Sequence, residues 1–139
     1  KMYKNLVKKF EKLEHISFYE TVTNKKLENI YNDCDFGIVL LDKFHKTHNV
    51  PGKFISYVSN GLPVFCILNN DNPLIDIINK NYLGIATSYI SDANLEKCWE
   101  EFEHLINNND LSLNCHNYAQ ENYDVSSIAK RIKLKFDEL

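Results

Sequence analysis

The residues best suited to chemistry stand in one short run: His48, Asn49, Val50, Pro51, Gly52 and Lys53, followed by Ser56 and Tyr57. Pro51 fits the first turn of a helix, where a missing N–H costs nothing. Phe54, Ile55, Tyr57 and Val58 then recur at roughly helical spacing. Such a helix begins with free backbone N–H groups, and Lys53 falls in its first turn. Amide dipoles plus one ammonium form a place to hold an anion, above all a phosphate. Gly61 stands where a helix end favours a left-handed residue, and Pro63 follows as a stop. Val64 to Leu68 is an unbroken apolar run, as in a strand buried on both faces. The segment reads as loop, helix, Gly-x-Pro turn and inner strand.

Other reactive side chains have plainer readings. His45 and His48 are of the type used for acid–base catalysis, but loop histidines are usually only polar. Asp33 and Asp35 suggest a metal pair, yet Cys34 between them and the apolar run after them mark a helix end, with the carboxylates sent in different directions. The cysteines, Cys34, Cys66, Cys98 and Cys115, form no Cys-x-x-Cys pair, which leaves zinc-finger and thioredoxin chemistry without support. Cys34 and Cys66 read as small core residues, in a reducing, cytoplasmic compartment. Trp99, Phe102 and Ile106 read as a core stripe, Glu100 and His104 as a solvated face, and Tyr118 and Tyr123 as packing residues.

The elements that must position the central run follow from periodicity. With 139 residues the chain suits one domain, 1–139. Its 44% hydrophobic and 25% charged residues are those of a soluble globular protein. A net charge of −3 without a basic block argues against nucleic acid as partner. No apolar run reaches the length of a membrane span, and no signal peptide is visible.

Residues 2–14 carry Leu6, Phe10 and Leu13 as an amphipathic helix with no N-cap ahead of it, which reads as a chain starting inside a longer protein. Ile16 to Glu20 reads as a short strand. A helix capped by Thr23 or Asn24 runs through Leu27, Ile30 and Tyr31. Phe36 to Leu41, without alternation, reads as an interior strand. Asn69 to Asn72 form a turn, Pro73 opens a helix, Tyr82 to Ala86 read as a last strand, and Ser91 or Asp92 caps a long helix. Two more helices fall near 111–122 and 125–137. Strands alternating with helices predict an α/β fold, a Rossmann-like parallel sheet with helices on both faces. Ligands in such folds bind outside the C-terminal ends of the strands. The loops at 21–24 and 42–50 and the helix start at 51–53 would meet there.

This order of features resembles the C-terminal, nucleotide-sugar-binding domain of GT-B fold glycosyltransferases of the retaining group 1 type. The carrying residues are Leu27, Tyr31, Cys34-Asp35-Phe36-Gly37-Ile38, Asn49-Val50-Pro51-Gly52-Lys53-Phe54, Tyr57, Gly61-Leu62-Pro63-Val64 and Leu83-Gly84. The resemblance implies that Thr21 and Val22 contact the base and that Val50, Gly52 and Lys53 hold the diphosphate. It extends the donor site to His48, Asn49, Ser56 and Tyr57. Many members carry two glutamates, one near the donor sugar and one on the ribose. The corresponding positions here are His48 and Ser56, so both depart, although Ser56 or Tyr57 retains a hydroxyl for the ribose.

The resemblance further implies transfer from a nucleoside-diphosphate sugar, in surface or capsular polysaccharide or glycoconjugate synthesis, with no metal or other cofactor. The expected partners are the nucleotide sugar and an N-terminal acceptor domain, and the first strand of the donor-binding domain itself, with its glycine-rich turn, should precede residue 2. Membrane association at the cytoplasmic face would come through the acceptor domain. A sheet edge left open by the missing strand predicts homo-oligomers. The alternative is a degenerate, non-catalytic binding module of the same fold. A receiver-like domain ranks lower, because no acidic pair ends the run at Glu20-Thr21.

Overall fold

A computed structural model describes residues 2–45, 49–88, 91–107 and 109–138. The chain divides into two compact units, Lys1–Ile30 and Tyr31–Leu139.

In the first unit, α1 (Met2–Phe10) ends earlier than its periodicity suggests. The Leu13 amide bonds to Phe10 O and the Ile16 amide to Leu13 O, so successive tight turns replace the last helical turn. The expected strand at Ile16 to Glu20 does not form. A strand needs a ladder partner for its backbone. These residues instead lie mostly exposed, with Phe18 edge-on to Tyr3 and the Lys26 ammonium over the Tyr19 ring. The helix α2 (Asn24–Asn32) starts where Thr23 accepts the Lys26 and Leu27 amides.

The second unit is α/β. Its three strands, β1 (Gly37–Leu40), β2 (Val64–Leu68) and β3 (Gly84–Ser88), form one parallel sheet in the order β1-β2-β3. Gly37 pairs with Val64 and Val64 with Gly84. The intervening helices are α3 (Gly52–Ser59) and α4 (Pro73–Lys80); α5 (Asp92–Ile106), α6 (Asn109–Asn122) and α7 (Val125–Asp137) follow β3. Side chains alternate across a strand, and the helices sort accordingly. Val39, Val64, Cys66 and Leu68 share a buried cluster with Phe54 and Val58 of α3 and Leu74 and Ile78 of α4. Phe65, on the opposite face, packs with Trp99 and Phe102 of α5. Helices therefore cover both faces.

The central strand β2 is buried at every residue but Ile67, which is half-buried, in keeping with its unbroken apolar run. The expectation that β1 is equally interior is corrected: β1 is an edge strand with alternating burial, and Ile38 and Leu40 are 44% and 64% exposed. An apolar run signals burial but not which neighbours supply it, and on that face Trp99 and Phe102 of α5 pack on Phe36 and Phe65 while Ile38 and Leu40 border an open groove. The third strand begins two residues later than expected, because Tyr82 at φ 52° and Gly84 at φ 139° turn the chain into the sheet. Gly84 is obligatory there, since a Cβ would collide with the Val64 carbonyl.

The end of α3 follows the glycine signal. The Leu62 amide bonds to Tyr57 O at 3.0 Å and the Gly61 amide to Val58 O at 3.1 Å, with Gly61 at φ 70°. This paired pattern closes a helix on a left-handed residue. Among the cysteines, Cys66 is buried as expected, but Cys34 is exposed, because the sheet begins only at Gly37. Cys115 is the second buried thiol, set in the core with its Sγ 3.7 Å from Leu83 O.

Candidate functional site

A parallel β-α-β unit returns the chain to the start of the sheet. The helix between β1 and β2 must therefore begin at the C-terminal edge of the strands, and α3 does so. Its N-cap is Pro51, in extended conformation with no side-chain cap. The first backbone bond of the helix runs from the Ile55 amide to Pro51 O at 3.4 Å. The amides of Gly52, Lys53 and Phe54 precede it and have no acceptor within the helix. Gly52 is exposed, and a Cβ there would meet nothing within 4 Å. Lys53 is exposed, with no ionic partner among the described residues. Open amides, a helix dipole and an ammonium thus stand at one point of the sheet edge.

The sequence-derived residues distribute unevenly. Asn49, Val50, Gly52 and Lys53 lie together at this helix start. Asn49 is engaged locally, with its Oδ1 3.4 Å from Nε2 of His45. Ser56 lies one turn along α3 and is half-buried. Tyr57 stands at the far end: its ring packs over Gly37, the first residue of β1, and edge-on to Tyr31 at 5.7 Å. Burial, with Tyr31 beside it, holds its phenol above the usual range. Thr21 and Val22 belong to the first unit, where Thr21 borders a surface hollow with Tyr3, Tyr19 and Glu20. His48 lies outside the described residues.

The turn after β2 is closed by its own side chains. Asn69 and Asn72 are buried; Nδ2 of Asn72 donates to Oδ1 of Asn69 at 2.8 Å, and Oδ1 of Asn72 accepts the Leu74 amide at 3.0 Å. Both amides serve to cap α4. Asn79 is also structural: its side chain makes both hydrogen bonds to the Ala86 backbone, each 2.9 Å, and so closes the outer edge of β3.

A feature that periodicity did not isolate lies on the α5 face. The exposed side chains of β1, together with Phe65, Ile67, Leu95 and Trp99, floor an open groove of about 600 Å³. Glu96, Glu100 and Glu103 line it from α5, and Nε1 of Trp99 donates to Oε1 of Glu103 at 2.8 Å. The acidic i, i+4, i+7 stripe beside Leu95 and Trp99 was the available signal.

Among the described residues, no group of three or more His, Cys, Asp or Glu side chains is placed to hold a metal ion, and no helix is long and apolar enough to cross a membrane. Compared with known proteins, the chain matches no family model, no curated protein and no solved structure.

Proposed function

We propose that this chain is the donor-binding part of a glycosyltransferase that uses a nucleoside-diphosphate sugar, working in the cytoplasm on surface polysaccharide or glycoconjugate. The observation that carries the reading is the start of α3: uncapped amides and an exposed Lys53 at the C-terminal edge of a parallel sheet. In the proposed step, the bond between the sugar and the diphosphate oxygen breaks while a bond to the acceptor oxygen forms. Negative charge grows on the departing diphosphate. The amides of Gly52 and Lys53, the dipole of α3 and the Lys53 ammonium oppose that charge where it develops. The acceptor and the group that takes its proton belong to a separate acceptor domain, so the chain alone binds donor without turning it over.

The test is thermal unfolding of the chain with UDP, GDP, ADP and CMP and their sugars. Ligand at 100 times its dissociation constant adds about 2.7 kcal/mol of stability, which raises the midpoint by several degrees. The expected result is a rise with one nucleoside diphosphate that is lost in Lys53→Ala. A second reading, a non-catalytic interaction module of the same fold, draws on the open apolar groove beside α5. No rise with any nucleotide favours it.

A further inference from the structure

We propose that the groove between β1 and α5 receives the basic helix α7 of a second copy of this chain. This docking does not depend on donor binding at α3. The groove is apolar at its floor, where Ile38 and Leu40 stand open to water at the free edge of the sheet. Its wall on α5 carries Glu96, Glu100 and Glu103 in a single stripe. Two features thus define an occupant: an apolar ridge to cover the floor and positive charge to face the wall.

The helix α7 has both. Val125, Ala129, Ile132 and Phe136 recur at helical spacing along one side. Val125, Ile132 and Phe136 are 79%, 53% and 72% exposed, so the contact of α7 with α6 leaves this ridge uncovered. Lys130, Arg131, Lys133 and Lys135 flank it. An amphipathic helix laid by its apolar face into a hydrophobic groove is a recurrent mode of recognition, and opposite charges at the rim set its orientation and encounter rate.

The helix cannot be the chain's own. The preceding helix α6 packs on α3, on the sheet face opposite the groove, and α7 continues from α6. A second copy supplies the same helix without undoing that packing. Because the two surfaces differ, the contact is heterologous: it closes into a ring or a reciprocal pair, or extends as a chain.

Sedimentation velocity over a range of concentrations tests this. The wild-type chain should associate reversibly at low salt, and less at high salt, where exposed charges are screened. Leu40→Glu, at an exposed position that folding tolerates, should weaken association about tenfold or more. Reversing the wall (Glu96→Lys with Glu100→Lys) or the helix (Lys130→Glu with Lys133→Glu) should leave each variant monomeric. Mixing the two reversed variants should restore a complex, because the acidic helix of one meets the basic wall of the other. A wild-type chain that stays monomeric at all concentrations overturns the proposal. So does association that Leu40→Glu and both reversals leave unchanged, which would place the contact elsewhere. Circular dichroism of each variant separates lost association from lost folding.

Discussion

The ring of Tyr57 lies so close over Gly37 that a Cβ on Gly37 would collide with its Cγ and Cδ2. The contact joins α3 to the first residue of β1 and fixes the helix against the N-terminal end of the strand. It also removes Tyr57 from the N-terminal end of the same helix. Gly37→Ala should therefore cost about 1–3 kcal/mol, as overpacking does in a tight interior. The cost should shrink in a Tyr57→Leu background, where the ring is gone. A double-mutant cycle by urea unfolding checks the coupling.

Asn79 bonds the outer edge of β3 as a neighbouring strand would. Its amide both donates to and accepts from the Ala86 backbone. Asn79→Ala leaves those two groups without partners and should destabilise by about 1–3 kcal/mol. Asn79→Asp keeps the acceptor but loses the donor, and should remain clearly less stable than wild type. Chemical denaturation of both variants measures the effect.

The two buried thiols should be inert while the exposed one reacts. Burial pushes both Cys66 and Cys115 up to about 12. The folded-state values lie above the unfolded one near 9, so the native state holds its protons longer. The stability this represents is fully present below the unfolded value and is lost as pH rises from about 9 to about 12. At pH 8, a thiol reagent should label Cys34 quickly in the folded chain and Cys66 and Cys115 only after denaturation. Peptide mapping reads the order of labelling.

Much of the second unit was legible in the sequence because its signals are local. Pro51 and Gly61 bracket α3, and the run from Val64 to Leu68 could only be a strand buried on both sides. What was not legible depends on neighbours. Ile16 to Glu20 has strand composition, but in the first unit it has nothing to pair with. Phe36 to Leu41 reads as interior, yet it lies at the sheet edge, where Ile38 and Leu40 face water. Cys34 borders an apolar run but precedes the strand. Asn69 and Asn72 read only as a turn and prove to cap α4 through bonds to each other and to Leu74, while Asn79, within α4, reaches across the next turn to the Ala86 backbone. In the candidate site, the helix start was readable from Pro51 to Lys53, but the far position of Tyr57 was not, since helical spacing does not say which end meets the sheet.

Gly61 tests the helix-closing turn. It holds φ 70°, and a Cβ there would strike the His116 ring. Gly61→Ala should cost about 1–3 kcal/mol, from left-handed backbone strain together with overpacking. Gly61→Ala with His116→Ala should recover part of that loss. Thermal unfolding of the single and double variants distinguishes strain from collision.

The proposed seat of a diphosphate is the first turn of α3. The most direct measurement is a titration of the 15N-labelled chain with the nucleoside diphosphates, following backbone amides by NMR. One of them should shift the amides of Gly52, Lys53 and Phe54 first and most, and Lys53→Ala should weaken the response severalfold without altering the fold. Shifts confined to other parts of the chain, or none at saturating nucleotide, would contradict it.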